Sequence, residues 1–379
     1  MAIKKIKFYE LAMSGGFHVE INSGLILIAT KIYPDFDFLF YGESKHVNSL
    51  KTRNLLKNIE YKPLLFFPNA VLKTILLRDF VGCIYSSLAL FKSKNTDVLF
   101  FTNILPLTHW VIFVLNFFFK RDCFICLHGQ LEAYMPDNKL RFTKYYFGLQ
   151  LTIYKNDIKN KYVVFGDIIY NQIKGIFNNN SKCIVIDHPY MYDDNAVEDG
   201  AITFPVKIGQ IGVGDLGKGT QYIFELADLL RDYILQSKLK ICLVGKLNEN
   251  LRYLDNGLVD WFDEPLALDD FKIHIKQLHF SLFFRDKITG TVVASGSFLD
   301  AVKYLKPYLA IQNPYIEFYN NKFPESGKLF EDVKMMALFI ADFVDNLNNI
   351  EYLNKLNALK KLQNSLSLNS IAENFKNQL

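Results

Sequence analysis

The stretch VKIGQIGVGDLGKG, residues 206–219, decides the fold, because an apolar run there leads directly into a glycine-rich loop. The run predicts a buried parallel strand, and a helical pattern follows from about residue 220. A strand, a glycine loop and a helix in direct succession are typical of a doubly wound α/β sheet. We therefore expect an α/β domain that begins just before this stretch.

The same alternation of strand-like runs and helical patterns fills the rest of the chain. The runs before residue 191 are KIKFYELA, FDFLFYGE, PLLFF, DVLFFTN, CFICLHG, KYVVFG and CIVIDHPY. Those after residue 205 are VKIGQIGV, KICLVGK, LVDWF, LHFSLFF and PYLAI. Between the two sets, residues 191–205 are polar and acidic and suit a linker. We predict α/β domains over 1–192 and 204–360, with a C-terminal helix over 361–379 that returns to the first domain.

Composition excludes several classes of protein. Half of the 379 residues are apolar, which argues against disorder, and the length exceeds what one hydrophobic core normally organises. A net charge of +4 does not suggest a nucleic-acid binder. Five scattered cysteines favour a reducing compartment over a disulfide framework. Cys123 and Cys126 form a C-x-x-C pair, but in a strand they point to opposite faces, which argues against a redox or metal role.

One apolar stretch, residues 98–119, has the length of a bilayer span. It also contains Asn103, Pro106 and His109, and a strand followed by a helix that Pro106 begins fits these residues better. We therefore predict a strand and a helix here, with a membrane span as the alternative. The N-terminus has too short an apolar run for a signal peptide.

The glycine loop has the composition of a phosphate site. Gly212, Gly214 and Gly219 let a backbone approach an anion closely, the following helix offers free N–H groups, and Lys218 adds a full charge. The spacing is not that of a P-loop, which needs Gly-Lys-Ser/Thr. A glycine-rich turn beside a solvated lysine is the competing interpretation.

A second segment, residues 294–307, places small residues before another helix. Ser295 or Ser297 can cap that helix, and the N–H groups beside Gly296 suit a diphosphate. Asp300 lies about one turn in, where it either meets a sugar hydroxyl or simply matches the helix dipole.

In their order these two segments resemble the C-terminal donor domain of GT-B glycosyltransferases, in particular the bacterial group-1 enzymes of capsule and O-antigen synthesis. The likeness is specific over about residues 206–330 and looser before them. It implies two Rossmann-like domains that face a central cleft, a nucleotide-sugar donor, and no metal or other cofactor. Two acidic residues and an arginine are expected of the retaining members. Here Asp300 can stand for the second acidic residue, but Val292 and Val213 occupy the positions of the first acidic residue and of the arginine. We then expect Lys218 to hold the diphosphate with help from backbone amides or from Arg285.

The resemblance also directs attention to two loops of the N-terminal half. Gly15, Gly16 and His18 follow the first strand, and His128 and Glu132 follow the strand that contains Cys123. Since the carboxyl ends of strands line the crevice of an open α/β sheet, both loops are expected at the site. We rank Glu132 and His128 ahead of His18 as the base that deprotonates an acceptor hydroxyl.

The sequence therefore predicts a hexosyltransferase that moves a sugar from a nucleoside-diphosphate donor to a glycan hydroxyl. The acceptor is expected to be lipid-linked, in bacterial surface polysaccharide synthesis, with the enzyme peripheral on the inner face of the cytoplasmic membrane. We expect no metal site and no nucleic-acid partner. The alternatives are a sugar-nucleotide epimerase of the same architecture and a non-catalytic, degenerate GT-B sugar-binding protein.

Overall fold

The structure is a computed structural model, which describes residues 4–16, 18–54, 59–65, 72–128, 131, 160–177, 182–192, 201–285 and 294–379. The chain divides into two compact units. Unit 1 comprises residues 1–191, 292–294 and 366–379, and unit 2 comprises residues 192–291 and 295–365.

The described residues of unit 1 form a parallel sheet of seven strands. The strands are β1 Lys5–Glu10, β2 Asp37–Glu43, β3 Ile59–Leu64, β4 Val98–Asn103, β5 Asp122–Leu127, β6 Asn160–Phe165 and β7 Lys182–Ile186. Their order in the sheet is β3-β2-β1-β4-β5-β6-β7. The order reverses between β1 and β4, and the carboxyl ends of strands at such a point form a crevice.

Helices cover both faces of this sheet. They are α1 Val19–Ile32, α2 Ser44–Lys51, α3 Leu72–Lys92, α4 Pro106–Phe119 and α5 Asp167–Ile173. On one face Phe8, Phe100 and Phe124 stack in register across β1, β4 and β5 and pack with α1. On the other face Phe101 and Ile125 pack with α3 and α4. A strand covered on both faces is mostly apolar, and the fully buried β4 begins with four apolar residues before Thr102 and Asn103 at its carboxyl end.

Unit 2 has a second parallel sheet, with six strands among the residues described. They are β8 Val206–Ile211, β9 Leu239–Lys246, β10 Val259–Phe262, β11 Phe280–Phe283, β12 Tyr308–Ile311 and β13 Gly327–Phe330, in the order β10-β9-β8-β11-β12-β13. The order reverses between β8 and β11. The helices are α6 Gln221–Leu229, α7 Arg231–Leu235, α8 Leu268–Lys276, α9 Gly296–Lys303, α10 Pro314–Lys322, α11 Val333–Asp345 and α12 Asn349–Ser365.

The last helix, α13 Leu368–Asn377, belongs to unit 1. Its Phe375 is fully buried, with its ring centroid 5.5 Å from that of Phe124. Gln378 pairs with the backbone of the edge strand β7: its Oε1 accepts from the Val185 N–H at 2.9 Å, and its Nε2 donates to the Val185 carbonyl at 2.8 Å. The helix thus covers part of the core and satisfies backbone groups that an edge strand leaves unpaired.

These observations confirm the predicted α/β class with two parallel sheets. Residues 98–119 form β4 and α4, as predicted, and none of the described helices is long and apolar enough to span a bilayer. Cys123 and Cys126 are buried on opposite faces of the sheet.

Three details of the sequence interpretation were wrong. The strand expected at PLLFF runs over Ile59–Leu64 instead. The helix expected from residue 220 is interrupted at Leu230, between α6 and α7. Strand β13 was missed, because four residues with one lysine among them carry almost no alternation signal.

Candidate functional site

The glycine loop of unit 2 lies directly after β8, at the point where the strand order of its sheet reverses. Gly212 and Gly219 have φ of 91° and 69°, in the left-handed region that favours glycine. A Cβ atom at Gly219 would also lie 2.6 Å from the carbonyl oxygen of Phe284. Between these glycines, Leu216–Lys218 form a 3-10 turn that Asp215 caps by accepting from the Lys218 N–H at 2.9 Å. The sequence thus requires glycine at both ends of a tight turn that carries Lys218.

The two segments singled out from the sequence meet at Gly212. A Cβ atom added there would lie 2.9 Å from Lys218 Nζ and 3.3 Å from Ser297 Oγ. Arg285, just after the neighbouring strand β11, donates from Nε to the Gly217 carbonyl at 3.3 Å. The structure therefore gathers two cations, a glycine backbone and the first turn of α9 within unit 2.

The ammonium group of Lys218 is half-buried. Burial lowers its pKa, Asp215 and Asp300 act to raise the pKa, and Arg285 acts to lower it. A cation that has lost part of its hydration and is flanked by a second cation binds an anion more strongly than a fully hydrated lysine does. Lys218 is therefore only partly solvated.

Helix α9 begins at this place. Ser295 caps it by accepting from the Phe298 N–H at 3.3 Å, and among the described residues no atom lies within 4 Å of a Cβ atom added at Gly296. Open space beside a capped helix N-terminus leaves room for a phosphate group.

Unit 1 has its own polar cluster at the corresponding place, where its strand order reverses between β1 and β4. Glu10 ends β1, pairs in register with Asn103 of β4, and is completely buried. Its carboxylate accepts from the N–H groups of Ala12 and Met13 at 3.2 and 3.0 Å and from Asn22 Nδ2 at 3.1 Å. Burial acts to raise the pKa of Glu10, but the hydrogen bond and charge of His18 and the contributions of His46 and Asn22 outweigh it, so the pKa is lowered. The carboxylate is therefore ionised at neutral pH.

His18 lies beside this carboxylate. Its Nδ1 is 3.6 Å from Glu10 Oε2 and 3.3 Å from Asn103 Nδ2, and its side chain is 16% exposed. His18 adopts a φ of 63° at the start of α1, a conformation that is uncommon outside glycine. A carboxylate at one ring nitrogen and partial exposure of the ring are the features of an oriented general base.

Two further imidazoles stand next to His18. The ring centroids of His18 and His128 are 4.4 Å apart, and those of His128 and His188 are 5.6 Å apart. Burial lowers the pKa of His128 well below its ordinary value and that of His188 to about 3, with His18 contributing to both. Both rings are neutral at neutral pH, which suits hydrogen bonding more than proton storage.

Known proteins resemble this chain in structure. No family model and no curated protein matches its sequence. HepE of Anabaena, solved in complex with UDP-glucose, superposes with a TM-score of 0.63 at 13% identity, over 99% of this chain and 98% of HepE. A UDP-forming trehalose-phosphate synthase of Burkholderia vietnamiensis gives 0.66 at 10% identity, over 99% and 98%. The sucrose-phosphate synthase of Thermosynechococcus elongatus gives 0.62 at 10% identity, over 98% and 97%. The chain has the GT-B fold.

Within this GT-B fold the structure brings together most of the predicted site residues that it describes. The residues gathered in unit 2 are Gly212, Lys218, Gly219, Arg285, Ser295, Gly296 and Ser297. Gly214 lies in the same loop, but its Cβ position faces Leu243 and Thr220, so it serves packing rather than ligand approach. Asp300 lies in α9 and acts on Lys218 electrostatically. Glu132 falls outside the described residues.

Sequence reasoning missed several buried residues of the polar cluster of unit 1. Glu10, Asn22, His46, Arg78 and Asn103 were not assigned to it. Four of these lie in otherwise apolar strands and helices, and a charged residue in such a segment is a usable signal because its burial is costly without partners. Arg78, which is 2% exposed, donates from NH1 to the Ala12 carbonyl at 2.5 Å and so reaches the loop after β1. Across the ranges that the structure covers, no three His, Cys, Asp or Glu side chains are grouped to hold a metal ion.

Proposed function

We propose that this protein is a glycosyltransferase that moves a sugar from a nucleoside-diphosphate donor to a hydroxyl group. The observation that carries the proposal is the position of Lys218 Nζ over Gly212 and next to Ser297. It places a cation, an open glycine backbone and a helix N-terminus at one spot, where the strand order of the sheet reverses. A diphosphate matches all three features.

The same groups supply the chemistry of the donor half of the reaction. As the bond from the sugar to the diphosphate breaks, negative charge grows on the leaving phosphate. Lys218, Arg285 and the N–H groups at the start of α9 stabilise that charge more in the transition state than in the ground state. In this proposal these groups do the work that a divalent cation does in other transferases.

For the acceptor half we propose His18 as the base. Glu10 Oε2 lies 3.6 Å from its Nδ1, so the carboxylate favours the tautomer with the proton on that nitrogen, which leaves Nε2 to take the proton of the acceptor hydroxyl. The ionised Glu10 stabilises the imidazolium that forms. This proposal places His18 ahead of His128, because the buried ring of His128 is a poor proton acceptor. Glu132, which the sequence ranked ahead of His18, lies outside the described residues.

The test is a binding screen of UDP-, GDP- and CMP-sugars, followed by NMR of the products formed with candidate acceptors. The proposal expects binding of one donor class and transfer with release of the nucleoside diphosphate. Conversion of the donor sugar to its epimer without an acceptor would instead identify an epimerase. Failure to bind any nucleotide would identify a degenerate, non-catalytic protein. Full turnover by the alanine variants of His18, His128 and Glu132 alike would assign the proton to the leaving phosphate and so favour a retaining route.

We further propose that the acceptor is lipid-linked and that the enzyme works at the inner face of the cytoplasmic membrane, in surface polysaccharide synthesis. The support is an exposed apolar stripe along α3 and α4. Its members, each at least 40% exposed, are Leu76, Phe80, Ile84, Leu88, Phe91, Leu107, Trp110, Phe117 and Phe118. On α3 they recur every three or four residues, which places them on one side of the helix.

Cations stand at the end of this stripe. Lys92 and Lys120 are exposed directly after Phe91 and Phe119, and the guanidinium of Arg121 lies 5.9 Å from the centre of the Phe119 ring. The rings of Phe91 and Phe119 are 6.1 Å apart, so the two helices end side by side. Aromatic and cationic side chains together suit the headgroup layer of an anionic membrane.

Asn116 is a polar residue of α4, but the structure buries it, and its Nδ2 donates to Asn160 Oδ1 at 2.7 Å. The exposed residues of the helix are therefore apolar. The proposal expects co-sedimentation with phosphatidylglycerol vesicles at low salt and release by high salt or mild detergent. A protein that ignores such vesicles would favour a water-soluble acceptor.

A further inference from the structure

The loop between β1 and α1 is held at both backbone polar groups of one residue, Gly15, by His46 of α2 and by Glu43, the residue before that helix. Glu43 Oε2 accepts from the Gly15 N–H at 3.1 Å, and His46 Nδ1 lies 3.0 Å from the Gly15 carbonyl oxygen. Glu43 also caps α2 by accepting from the N–H groups of Lys45 and His46 at 2.9 and 3.1 Å. The N-terminal end of α2 thus fixes the backbone of Gly15, three residues before His18.

His46 reaches the same carboxylate that orients His18. Asn22 Nδ2 lies 2.9 Å from His46 Nε2 and 3.1 Å from Glu10 Oε2. Since the Gly15 carbonyl can only accept, Nδ1 of His46 carries the proton and Nε2 accepts from Asn22. The ionised Glu10 requires a donor from Asn22 as well, so the two N–H bonds of one amide group link His46 to Glu10. In this hydrogen-bond network, every side-chain N–H of His46 and Asn22 has an acceptor.

The burial of these polar groups argues against a purely structural role. Glu10, Asn22 and His46 are all 0% exposed, and burying polar side chains costs free energy that apolar residues at the same positions would not. Both ends of the network terminate on the loop, at the Gly15 backbone and at the His18 ring. A network that only joined α1 to α2 would not need to reach either.

We propose that His46 is a positioning residue that acts through Gly15 and through Asn22 and Glu10 to fix loop residues 11–16 and the ring of His18. It touches neither donor nor acceptor. The proposal rests on the proposed function for its catalytic consequence, while its structural part stands on the loop alone.

The experiment compares His46→Ala and His46→Gln with Leu50→Ala. Leu50 is equally buried on the same helix but has no link to the network, so it reports what general loosening of α2 does. Hydrogen–deuterium exchange measured by mass spectrometry follows a peptide that covers residues 11–18. In His46→Ala we expect exchange of this peptide to quicken by about tenfold, as the loss of one buried hydrogen bond implies. Glutamine can still accept from Asn22, so His46→Gln should retain part of the protection, and Leu50→Ala should protect the peptide like wild type.

Kinetics then test the consequence. We expect His46→Ala to lower kcat by about tenfold or more with the UDP dissociation constant unchanged, His46→Gln to recover part of kcat, and Leu50→Ala to keep it. Wild-type exchange in His46→Ala, or an equal rise in Leu50→Ala, would overturn the proposal. Wild-type kcat in His46→Ala would overturn the catalytic part. If the wild-type protein transfers no sugar, the exchange result still decides whether His46 holds the loop, and the failure belongs to the proposed function.

Discussion

At the scale of single residues, Lys218 carries the sharpest prediction. If its ammonium group binds the diphosphate, Lys218→Ala should weaken UDP binding by about 1.5–3 kcal/mol, the range for a charge-assisted hydrogen bond. Isothermal titration with UDP measures this loss. Lys240→Ala is the matched control, because this substitution removes the same charge elsewhere. Lys240 lies at the start of β9 and pairs with Asp260 at 2.6 Å. Equal UDP affinity in both variants would take Lys218 out of the site.

Lys306 is a residue whose charge opposes folding. It is 3% exposed, its Nζ donates to the Lys276 carbonyl at 2.7 Å, and burial, with the charge of Lys276, lowers its pKa to about 8. The pKa is lower in the folded state than in the unfolded state, so folding favours the neutral amine. Stability should therefore rise as pH increases from about 8 towards 10 and stay level, at its lower value, below 8.

Lys306→Met should consequently raise the free energy of unfolding at pH 7, by about 1–3 kcal/mol. The gain should shrink as pH approaches 10, where the wild-type amine is neutral. Urea denaturation at the two pH values measures both effects. Lys272→Met, at an exposed lysine that pairs with Asp269, should show neither. A gain that does not depend on pH would show that packing, and not the buried charge, is responsible.

At the scale of elements, the paired helices α3 and α4 make a testable surface. A fully buried phenylalanine contributes about 1.5–3 kcal/mol, so Phe117→Ser with Phe118→Ser should weaken vesicle partitioning by about a hundredfold. The control is Leu235→Ser with Ile350→Ser, since these unit 2 residues are 68% and 74% exposed and lie outside the stripe. Co-sedimentation measures both. An equal loss of vesicle binding in the two double variants would indicate nonspecific hydrophobic adsorption rather than binding through a defined face.

How far the sequence predicts the molecule also differs between elements. A buried strand such as β4 can be recognised from its run of apolar residues, and Pro106 marks the start of α4. The bounds of both elements were therefore predicted well. The loop from Gly212 to Gly219 was found because its glycines are needed by the backbone itself. The roles of Glu10 and His46 were not predicted, since these roles depend on contacts between residues far apart in the chain. Lys218 was found, but its partial burial depends on Arg285 and Ser297 and could not be read locally.

At the scale of the whole molecule, the two units have separate hydrophobic cores. Phe375→Ala should destabilise unit 1 by about 3–5 kcal/mol, because the ring packs on Phe100 and Phe124. Phe343→Ala, whose ring lies 5.2 Å from that of Phe280, should do the same to unit 2. Hydrogen exchange of peptides from β1 and β8 in denaturant separates the two effects. If each variant accelerated both peptides equally, the units would unfold as one cooperative body.

The return of α13 to unit 1 has a consequence for synthesis on the ribosome. The strands of unit 1 are translated first, yet the helix that seats Phe375 and covers the edge of β7 follows all of unit 2. At ordinary elongation rates the gap lasts on the order of ten seconds or more. Throughout that interval the nascent sheet has an uncovered apolar patch and an open strand edge, both of which invite association with other chains. Unit 1 therefore stays open to such association until α13 has been synthesised and has docked.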